Sequence, residues 1–523
     1  SDTVRLPNPL GGLFLSQPNV LFVMTDQQRA DTIASLGNHS IYTPNLDRLV
    51  ARGVSFVNAY SQTPVCVAAR YAVRTGRDPL LTRVFSNGQV PPAVDQAEQM
   101  TDRCGSYLGQ TMQGLGYRSF GIGKFHSQPW DEDLGYDVHL RSEEILADPQ
   151  RRAGDAYGAH IAEHAPAYDF IEGLHGERTE MYYMPQMSPM PAEHTVEGWA
   201  ADRAVEQIER TDDERPFFGF VSFIGPHPPL APPIPFNRLY DPDLMASPVS
   251  GDPAVDHADE QIPHMNYGVW AEDVSDSQAR VLKTRYYGEI TYIDDCLGRI
   301  LDAVEARPDA DNTVICFFAD HGDHLGDHQA WQKESFFEAS CHIPFLVSWP
   351  ERLPRNERRE DLVALIDLFG IATGAAGQTQ VRDGVDVLSM LTSGGDRRER
   401  LVGLYGAPGT RRFKAMVRED RWKYIWLANG AGQQLFDVTA DPQELRDLSG
   451  SHSEIVARLH RAAIDHLRQP GGQEALDGDD LHSLPFEARP LQRIYQFGHW
   501  PRSSGFPEDP GEALRSYQAA TGS

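Results

Sequence analysis

Short apolar runs recur along this chain, and each ends in polar residues. The runs comprise residues 19–24, 118–123, 217–223, 313–319 and 343–349. Apolar runs of this length are typical of strands that are buried on both faces of a sheet. Helical patterns lie between them, at residues 45–52, 104–114, 195–210 and 281–305. This alternation predicts an α/β fold with a large, mostly parallel sheet between helices.

The pattern changes near residue 385. Segments 413–418, 422–426 and 434–438 are typical of an antiparallel meander, and residues 453–467 have a helical pattern. We therefore expect a catalytic α/β domain over residues 1–385 and a smaller α+β domain with an antiparallel sheet over 386–483. The remaining tail, 484–523, is rich in Pro, Arg and aromatic residues. We expect it to pack on its own chain or on a neighbour, which would make a homo-oligomer.

Residues 138–193 do not fit the alternation. They are rich in His, Met, Pro and acidic residues and are only weakly periodic. We interpret them as an insertion that forms a lid or a substrate-selecting loop, with Tyr182 and Tyr183 as its specificity residues. The alternative is a solvated excursion without function.

Composition narrows the classes of partner. The 523 residues carry a formal net charge of −28, so neither nucleic acid nor an anionic membrane is an expected partner. No stretch of about 20 apolar residues is present, which argues against a membrane-spanning helix. The five cysteines are scattered and form no CxxC pair, and the first residues show no secretory signal. Both features favour a cytoplasmic location.

Lysines are rare in this chain, so their positions are informative. Of the 47 basic residues only five are lysines, and an anionic substrate would need a local positive pocket. Lys124 lies just past a predicted strand, as do Asp26, His227 and Asp320, and Lys333 follows farther along the chain. Ligands of such sheets bind beyond the carboxyl ends of the strands. We expect these side chains to meet at one sheet edge.

Two dipeptides at strand ends suggest a metal site. Asp26-Gln27 and Asp320-His321 offer oxygen ligands and one imidazole, a set that suits Mg²⁺, Ca²⁺ or Mn²⁺ better than zinc. A competing interpretation is a zinc cluster formed by His321, His324 and His328.

Cys66 is the candidate nucleophile. It follows Pro64 at the start of a helix-favouring segment, where the helix dipole favours anionic groups. Arg70 lies four residues later, on the same helix face. The alternative interpretation is a buried structural cysteine.

Several motifs together resemble the sulfatases of the alkaline-phosphatase superfamily. The resemblance covers most of residues 18–450. The motifs comprise Pro18-Asn-Val-Leu-Phe-Val-Met-Thr-Asp26, Thr43-Pro-Asn-Leu-Asp-Arg-Leu49, Cys66-x-Ala-x-Arg70, Thr75-Gly-Arg77, Gly123-Lys-x-His126, Asp320-His-Gly-Asp-His-Leu-Gly-Asp-His328 and Leu435-Phe-Asp-Val with Asp441-Pro. The resemblance implies an alkaline-phosphatase-like fold.

The resemblance also implies roles for individual residues. A formylglycine-generating enzyme would oxidise Cys66 to formylglycine, whose hydrate is the nucleophile. The modified Cys66 would bind one divalent ion together with Asp26, Gln27, Asp320 and His321. We expect Ca²⁺, with Mn²⁺ and Mg²⁺ as alternatives.

The remaining implied roles concern the ester. Arg70, Lys124 and Lys333 would hold the sulfuryl oxygens or tune the nucleophile. His126 would orient and deprotonate the hydrate, and His227 would assist the leaving oxygen together with Lys333.

Two departures from the family pattern leave alternatives open. Ala68 stands where the usual modification signal has Pro, and Gln27 with His321 also occurs in the phosphonate monoester hydrolase and choline sulfatase branches. Because Lys124 and His126 are kept, we expect a metal-dependent sulfatase acting on a small sulfate monoester. The alternatives are a phosphonate monoester or phosphodiester hydrolase and a catalytically silent binding protein. A phosphomutase would need a Ser or Thr nucleophile and two metal ions.

Overall fold

The computed structural model describes residues 17–88, 99–143, 154–168, 183, 185, 187–188, 190–270 and 274–491, with side chains 266–270 left out. Within these residues the main sheet has eight strands, in the order β4-β3-β5-β1-β6-β7-β2-β8. Its strands are β1 Asn19–Thr25, β2 Val54–Tyr60, β3 Arg118–Gly123, β4 Val138–Arg141, β5 Phe217–Ser222, β6 Thr313–Ala319, β7 Phe345–Ser348 and β8 Glu357–Ala364. Strand β7 pairs antiparallel with β6 and β2, and the other pairings are parallel.

Helices cover both faces of this sheet. They are α1 Pro44–Arg52, α2 Cys66–Thr75, α3 Pro79–Thr82, α4 Met100–Cys104, α5 Leu108–Gly114, α6 Ala156–His164, α7 Val196–Glu209, α8 Pro253–Asp256, α9 Gln261–Trp270, α10 Asp276–Glu305, α11 Glu338–Cys341, α12 Asp367–Ala375, α13 Val387–Thr392 and α14 Ser453–Leu467. In β1, Val20 and Phe22 pack into the core under α2 and α12, whereas Leu21 and Val23 pack into the core under α7 and α10. Burial on both faces explains why the strand has an uninterrupted apolar sequence.

A second, antiparallel sheet follows in the order β12-β11-β10-β9. Its strands are β9 Arg400–Tyr405, β10 Lys414–Glu419, β11 Trp422–Leu427 and β12 Gly432–Asp437. Helix α14 packs on one face, where Val417 belongs to a core with Leu459. On the other face Met416 joins the main core. A short hairpin, β13 Leu476–Asp477 and β14 Asp480–Leu481, completes the sheets.

The predicted fold class is confirmed, and the five predicted strands are all present. Strands β2, β4, β8, β9, β13 and β14 were not predicted. Strand β4 pairs with β3, so the segment interpreted as an insertion starts as an edge strand of the main sheet. The proposed domain boundaries stay a prediction.

The start of the tail packs on its own chain. Gly430 donates a backbone hydrogen bond to Leu484, and Glu487 donates one to the Asn429 side chain. Residues 492–523 and Tyr182 lie outside the described residues, so a tail-mediated oligomer stays a prediction. Among the helices that the structure describes, none is long and apolar enough to cross a membrane.

Candidate active site

Four neighbouring parallel strands deliver polar side chains to one edge of the main sheet. Asp26 follows β1, Lys124 follows β3 and Asp320 follows β6, while His227 lies in the loop after β5. All four side chains are buried. Because β3, β5, β1 and β6 are adjacent, their carboxyl ends bring these residues together, as the strand-end pattern predicts.

Cys66 is the first residue of helix α2, which follows the loop at the end of β2. Its Sγ atom lies 3.0 Å from Nζ of Lys333, 3.2 Å from Nε2 of His321 and 3.7 Å from Oδ1 of Asp26. The thiol is fully buried. Burial and the charge of Asp26 raise the pKa of Cys66, but the charges of Lys333, Lys124 and His321 outweigh them and hold this pKa well below its ordinary value. The thiol therefore sits where an anion is stabilised, unlike an inert core cysteine.

Arg70, one turn further along α2, supports the two acidic strand ends. Its Nη2 donates to Asp26 at 2.7 Å, and its Nε donates to Asp320 at 3.0 Å. The third nitrogen donates to the Lys124 carbonyl oxygen and to the hydroxyl of Ser222. Each of its three nitrogens thus has a protein acceptor, and these contacts orient the two carboxylates; its role towards the ester oxygens stays a prediction.

Lys124 also pairs with Asp26, at 2.8 Å between Nζ and Oδ2. Gly123 before it has a φ of 96°, and a Cβ atom there would meet the carbonyl oxygen of Ser222 at 1.9 Å. Only glycine fits this conformation and this close approach, which brings the end of β3 against β5. The backbone N–H of Lys124 then donates to that same carbonyl.

The site has the donor set of a metal centre. One donor atom each of Asp26, Cys66, Asp320 and His321 lies within 4.8 Å of the others, and all four residues are buried. Nδ1 of His321 lies 3.0 Å from the carbonyl oxygen of Gly322, so Nδ1 carries a proton and Nε2 is the ring nitrogen that faces the group. Two carboxylates and a correctly oriented imidazole fit a divalent cation.

The two carboxyl groups differ electrostatically. Burial raises the pKa of Asp26, but Lys124, His227, Arg70 and Lys333 together hold it well below its usual range. For Asp320, burial and the charge of Asp26 raise the pKa to about 6, against the opposing effects of His321 and Arg70. Two close carboxylates resist ionising together, and a bound cation relieves that repulsion.

The other predicted residues lie around this group. Gln27 accepts a hydrogen bond through Oε1 from Nζ of Lys333 at 2.7 Å. His227 lies 2.9 Å from the Pro228 carbonyl through Nδ1, which therefore carries a proton. His126 has a left-handed φ of 49°, and its backbone N–H donates to Glu143. The roles of His126 and His227 in proton transfer stay predictions.

The alternative histidine cluster does not form in the described part of the chain. Nε2 of His324 lies 2.6 Å from the hydroxyl of Ser335, and Nδ1 of His328 lies 3.1 Å from Asp256. The imidazole of His328 also stacks on Phe337. These side chains therefore belong to local packing rather than to the ligand group of His321.

Two residues that were not predicted as metal ligands or catalytic groups, Asp323 and Tyr183, lie beside Gln27. Asp323 accepts from Nε2 of Gln27 at 2.6 Å, and the hydroxyl of Tyr183 donates to Asp323 at 2.7 Å. Asp323 stood within the Asp320–His328 motif, but its spacing gave no sign of a role. Tyr183 is buried beside Gln27 and Asp323, and the specificity role predicted for it stays a prediction.

Comparison with known families agrees with this geometry. The family model described as Sulfatase matches residues 18–378. The chain belongs to the sulfatase family. A second model, N-sulphoglucosamine sulphohydrolase C-terminal, matches residues 326–469. As a sulfatase, the protein is a hydrolase of sulfuric esters.

Several proteins resemble this sulfatase over most of its length. An arylsulfatase of Clostridium perfringens is 26% identical over 87% of this chain and 93% of its own. A choline-sulfatase of Rhizobium meliloti is 27% identical over 86% of both chains. The structure of a phosphonate monoester hydrolase from Silicibacter pomeroyi superposes with a TM-score of 0.72 at 21% identity, covering 90% of this chain and 99% of that one. This last similarity supports the fold.

Proposed function

We propose that this protein hydrolyses a small sulfate monoester, using a formylglycine made from Cys66 as nucleophile and one divalent metal ion. The observation that carries the proposal is the position of Cys66 at the start of α2, in contact with Lys333 and His321. The metal ion would be held by Asp26, Gln27, Asp320, His321 and the modified Cys66. We propose Ca²⁺, with Mn²⁺ and Mg²⁺ as alternatives.

Each group supplies a recognisable part of the chemistry. A bound divalent ion polarises a sulfuryl oxygen and lowers the pKa of an attacking hydroxyl. The hydrated aldehyde of formylglycine offers that hydroxyl at the position of the present thiol. Lys333 places a positive charge within 3.0 Å of Sγ, where charge develops on the sulfuryl oxygens.

Proton transfer falls to the histidines. His227 lies near enough to Asp26 for its charge to lower the pKa of that carboxyl. We propose that His227 and Lys333 assist the leaving oxygen and that His126 deprotonates the hydrate. General acid–base help of this kind contributes about 10²–10⁴-fold to rates.

The test begins with the nucleophile. The protein is produced with and without a formylglycine-generating enzyme, and the mass of the Cys66 peptide is measured beside kcat/KM on aryl and alkyl sulfates. We expect turnover to rise in proportion to the converted fraction. Full activity with an unmodified thiol would refute the mechanism. Complete conversion without turnover of any ester would instead favour a silent binding protein.

A phosphonate monoester or phosphodiester hydrolase is the second candidate. The combination of Gln27 with His321 favours it. A relative from Trinickia caryophylli, 25% identical over 83% of this chain, is called a multifunctional alkaline phosphatase superfamily protein, which is consistent with activity on more than one kind of ester. Relative kcat/KM on an aryl sulfate, a phenylphosphonate and a phosphodiester decides between them. If Lys124→Ala lowers sulfate turnover while phosphonate turnover survives, Lys124 supports the sulfate preference.

The location of the protein is also a proposal. All five cysteines are free and buried, which suits a reducing compartment such as the cytoplasm.

A further inference from the structure

Gln27 is held in one orientation by groups of opposite character at the two ends of its amide. The carboxylate of Asp323 is an acceptor and lies 2.6 Å from Nε2, whereas the ammonium of Lys333 is a donor and lies 2.7 Å from Oε1. A carboxylate cannot donate and an ammonium cannot accept, so a flipped amide would lose both hydrogen bonds. Oε1 therefore faces the site occupied by Cys66 and Lys333.

The backbone of Gln27 is fixed as well. Its φ of 67° lies in the left-handed region, which is uncommon outside glycine. The backbone N–H donates to Oδ1 of Asp320 at 3.0 Å, and the carbonyl accepts from the hydroxyl of Tyr286 at 2.6 Å. With main chain and side chain both held, the direction of the amide depends on the groups that contact its two ends.

Asp323 is itself rigidly placed. Its Oδ1 accepts from the backbone N–H groups of Leu325 and Gln332, at 2.7 and 3.1 Å. Its Oδ2 accepts from Gln27 and from the hydroxyl of Tyr183. The residue is fully buried. One oxygen of Asp323 thus anchors the loop after β6, and the other faces the amide of Gln27.

We infer that Asp323 is a positioning residue that makes Gln27 a neutral oxygen ligand of the metal ion. The inference rests on the metal site proposed above. An amide oxygen has two acceptor positions, and Lys333 uses one of them, which leaves the second for a cation. Asp323 also explains why an amide rather than a carboxylate occupies position 27, since a carboxylate there would face Asp323 at hydrogen-bond distance.

Asp323→Asn tests this effect, although it also removes the acceptor of the Tyr183 hydroxyl. The carbonyl oxygen of Asn can still accept from Leu325 and Gln332, while its amide group would face Nε2 of Gln27, donor against donor. Because residues that hold metal ligands by hydrogen bonds are typically worth 10–100-fold in metal affinity, we expect Mn²⁺ binding to weaken by about that factor. The affinity is measured by titration of Mn²⁺ into metal-free protein, followed by electron paramagnetic resonance.

A swapped pair provides the rescue. In Gln27→Glu/Asp323→Asn the glutamate accepts at both ends, from the Asn amide on one side and from Lys333 on the other. We expect this double variant to regain most of the Mn²⁺ affinity that Asp323→Asn loses. The matched control is Asp327→Asn, a buried aspartate of the same loop that pairs with Arg29 and accepts from Val249. It should leave Mn²⁺ affinity unchanged.

The outcomes separate the two proposals. Wild-type protein that binds neither Mn²⁺ nor Ca²⁺ would refute the metal site and this inference with it. If wild type binds metal and Asp323→Asn binds equally well, the positioning role alone is refuted. The positioning role is also refuted if the double variant does not regain Mn²⁺ affinity, or if Asp327→Asn weakens Mn²⁺ binding as much as Asp323→Asn does. Melting curves of the metal-free variants show whether each is folded, and a single variant that fails to fold leaves the decision to the double variant.

Discussion

Lys333 donates a hydrogen bond from Nζ to Sγ of Cys66 at 3.0 Å. The same ammonium group donates to Oε1 of Gln27, a predicted metal ligand. One buried cation therefore joins the nucleophile position to the metal site. Because the chain carries a net charge of −28, an anionic ester needs such a local positive charge in order to bind.

Replacing Lys333 by Ala should lower kcat/KM on sulfate esters by about 10²–10³, the usual cost of losing one preorganised donor to developing negative charge. The measurement is steady-state kinetics on an aryl sulfate. Lys283→Ala is the control, since Lys283 lies on α10 and donates to the carbonyl of Ala246. Near-normal turnover in Lys333→Ala would show that the ammonium group does not contact the ester.

Replacing Cys66 by Ala should abolish turnover and leave the fold intact, because a small side chain is exchanged for another at a buried helix start. Kinetics and thermal melting test the two halves of this expectation. Cys104→Ala, at the end of α4, serves as the control and should keep its activity. Residual turnover of Cys66→Ala near the wild-type rate would exclude a nucleophile at this position.

Removing the metal should inactivate the enzyme reversibly. We expect one divalent ion per chain in the active protein, and a melting temperature that rises with its concentration because the ion binds the folded state. Asp320→Ala should lose both the ion and the activity. Elemental analysis and melting with and without added Ca²⁺ or Mn²⁺ provide the readouts. An ion bound by His324 and His328 in the active enzyme would contradict the assignment.

A buried ion network ties the second sheet to the main domain. Nζ of Lys423 lies 2.8 Å from Glu338 and 2.5 Å from Glu444. Lys423→Met would leave two buried carboxylates without their cation and should lower the free energy of unfolding by about 3–5 kcal/mol at pH 7. Urea unfolding at several pH values measures it.

The pH dependence follows from the direction of the shifts. Burial raises the pKa of Glu338, but Lys423 and His342 outweigh it and hold this pKa well below its ordinary value. Its stabilising contribution is therefore present above the unfolded pKa of about 4.3 and is lost as the pH falls below it. The difference in unfolding free energy between wild type and Lys423→Met should keep its full size down to about pH 5 and shrink as the pH falls below about 4.3, towards the lowered pKa of Glu338. If the difference in unfolding free energy instead grows on acidification, Lys423 and Glu338 do not form an ionised pair in the folded state.

The apolar runs of β1, β3, β5, β6 and β7 made these strands predictable from sequence, whereas the two edge strands of the main sheet, β4 and β8, were not. Strand β8 reads Glu-Arg-Arg-Glu-Asp before its first buried residues, because it is the edge strand beside β2 and only its last part is covered. Strand β4 has only four residues, all half-buried, at the opposite edge. Edge strands need not be apolar, so their patterns resemble loops.

The candidate site shows a similar division. Asp26, Lys124 and Asp320 were predictable because each directly follows a buried strand, and a parallel sheet gathers such ends at one edge. The contact of Asp323 with Gln27 was not, since it joins two loops 296 residues apart through side-chain geometry. The spacing of four residues between Cys66 and Arg70 likewise did not predict that each Arg70 nitrogen has a protein acceptor.

The central position of β1 means that both of its partner strands are synthesised much later than β1 itself. Its neighbours β5 and β6 begin about 200 and 290 residues later, so β1 cannot be paired with them until much of the intervening polypeptide has been made. Until then the Cys66 segment cannot have the enclosed surroundings described above. In the finished fold the thiol has no exposed surface. An enzyme that modifies this sulfur therefore has an interval that opens when Cys66 is synthesised and closes when β6 docks, and slower folding would lengthen it.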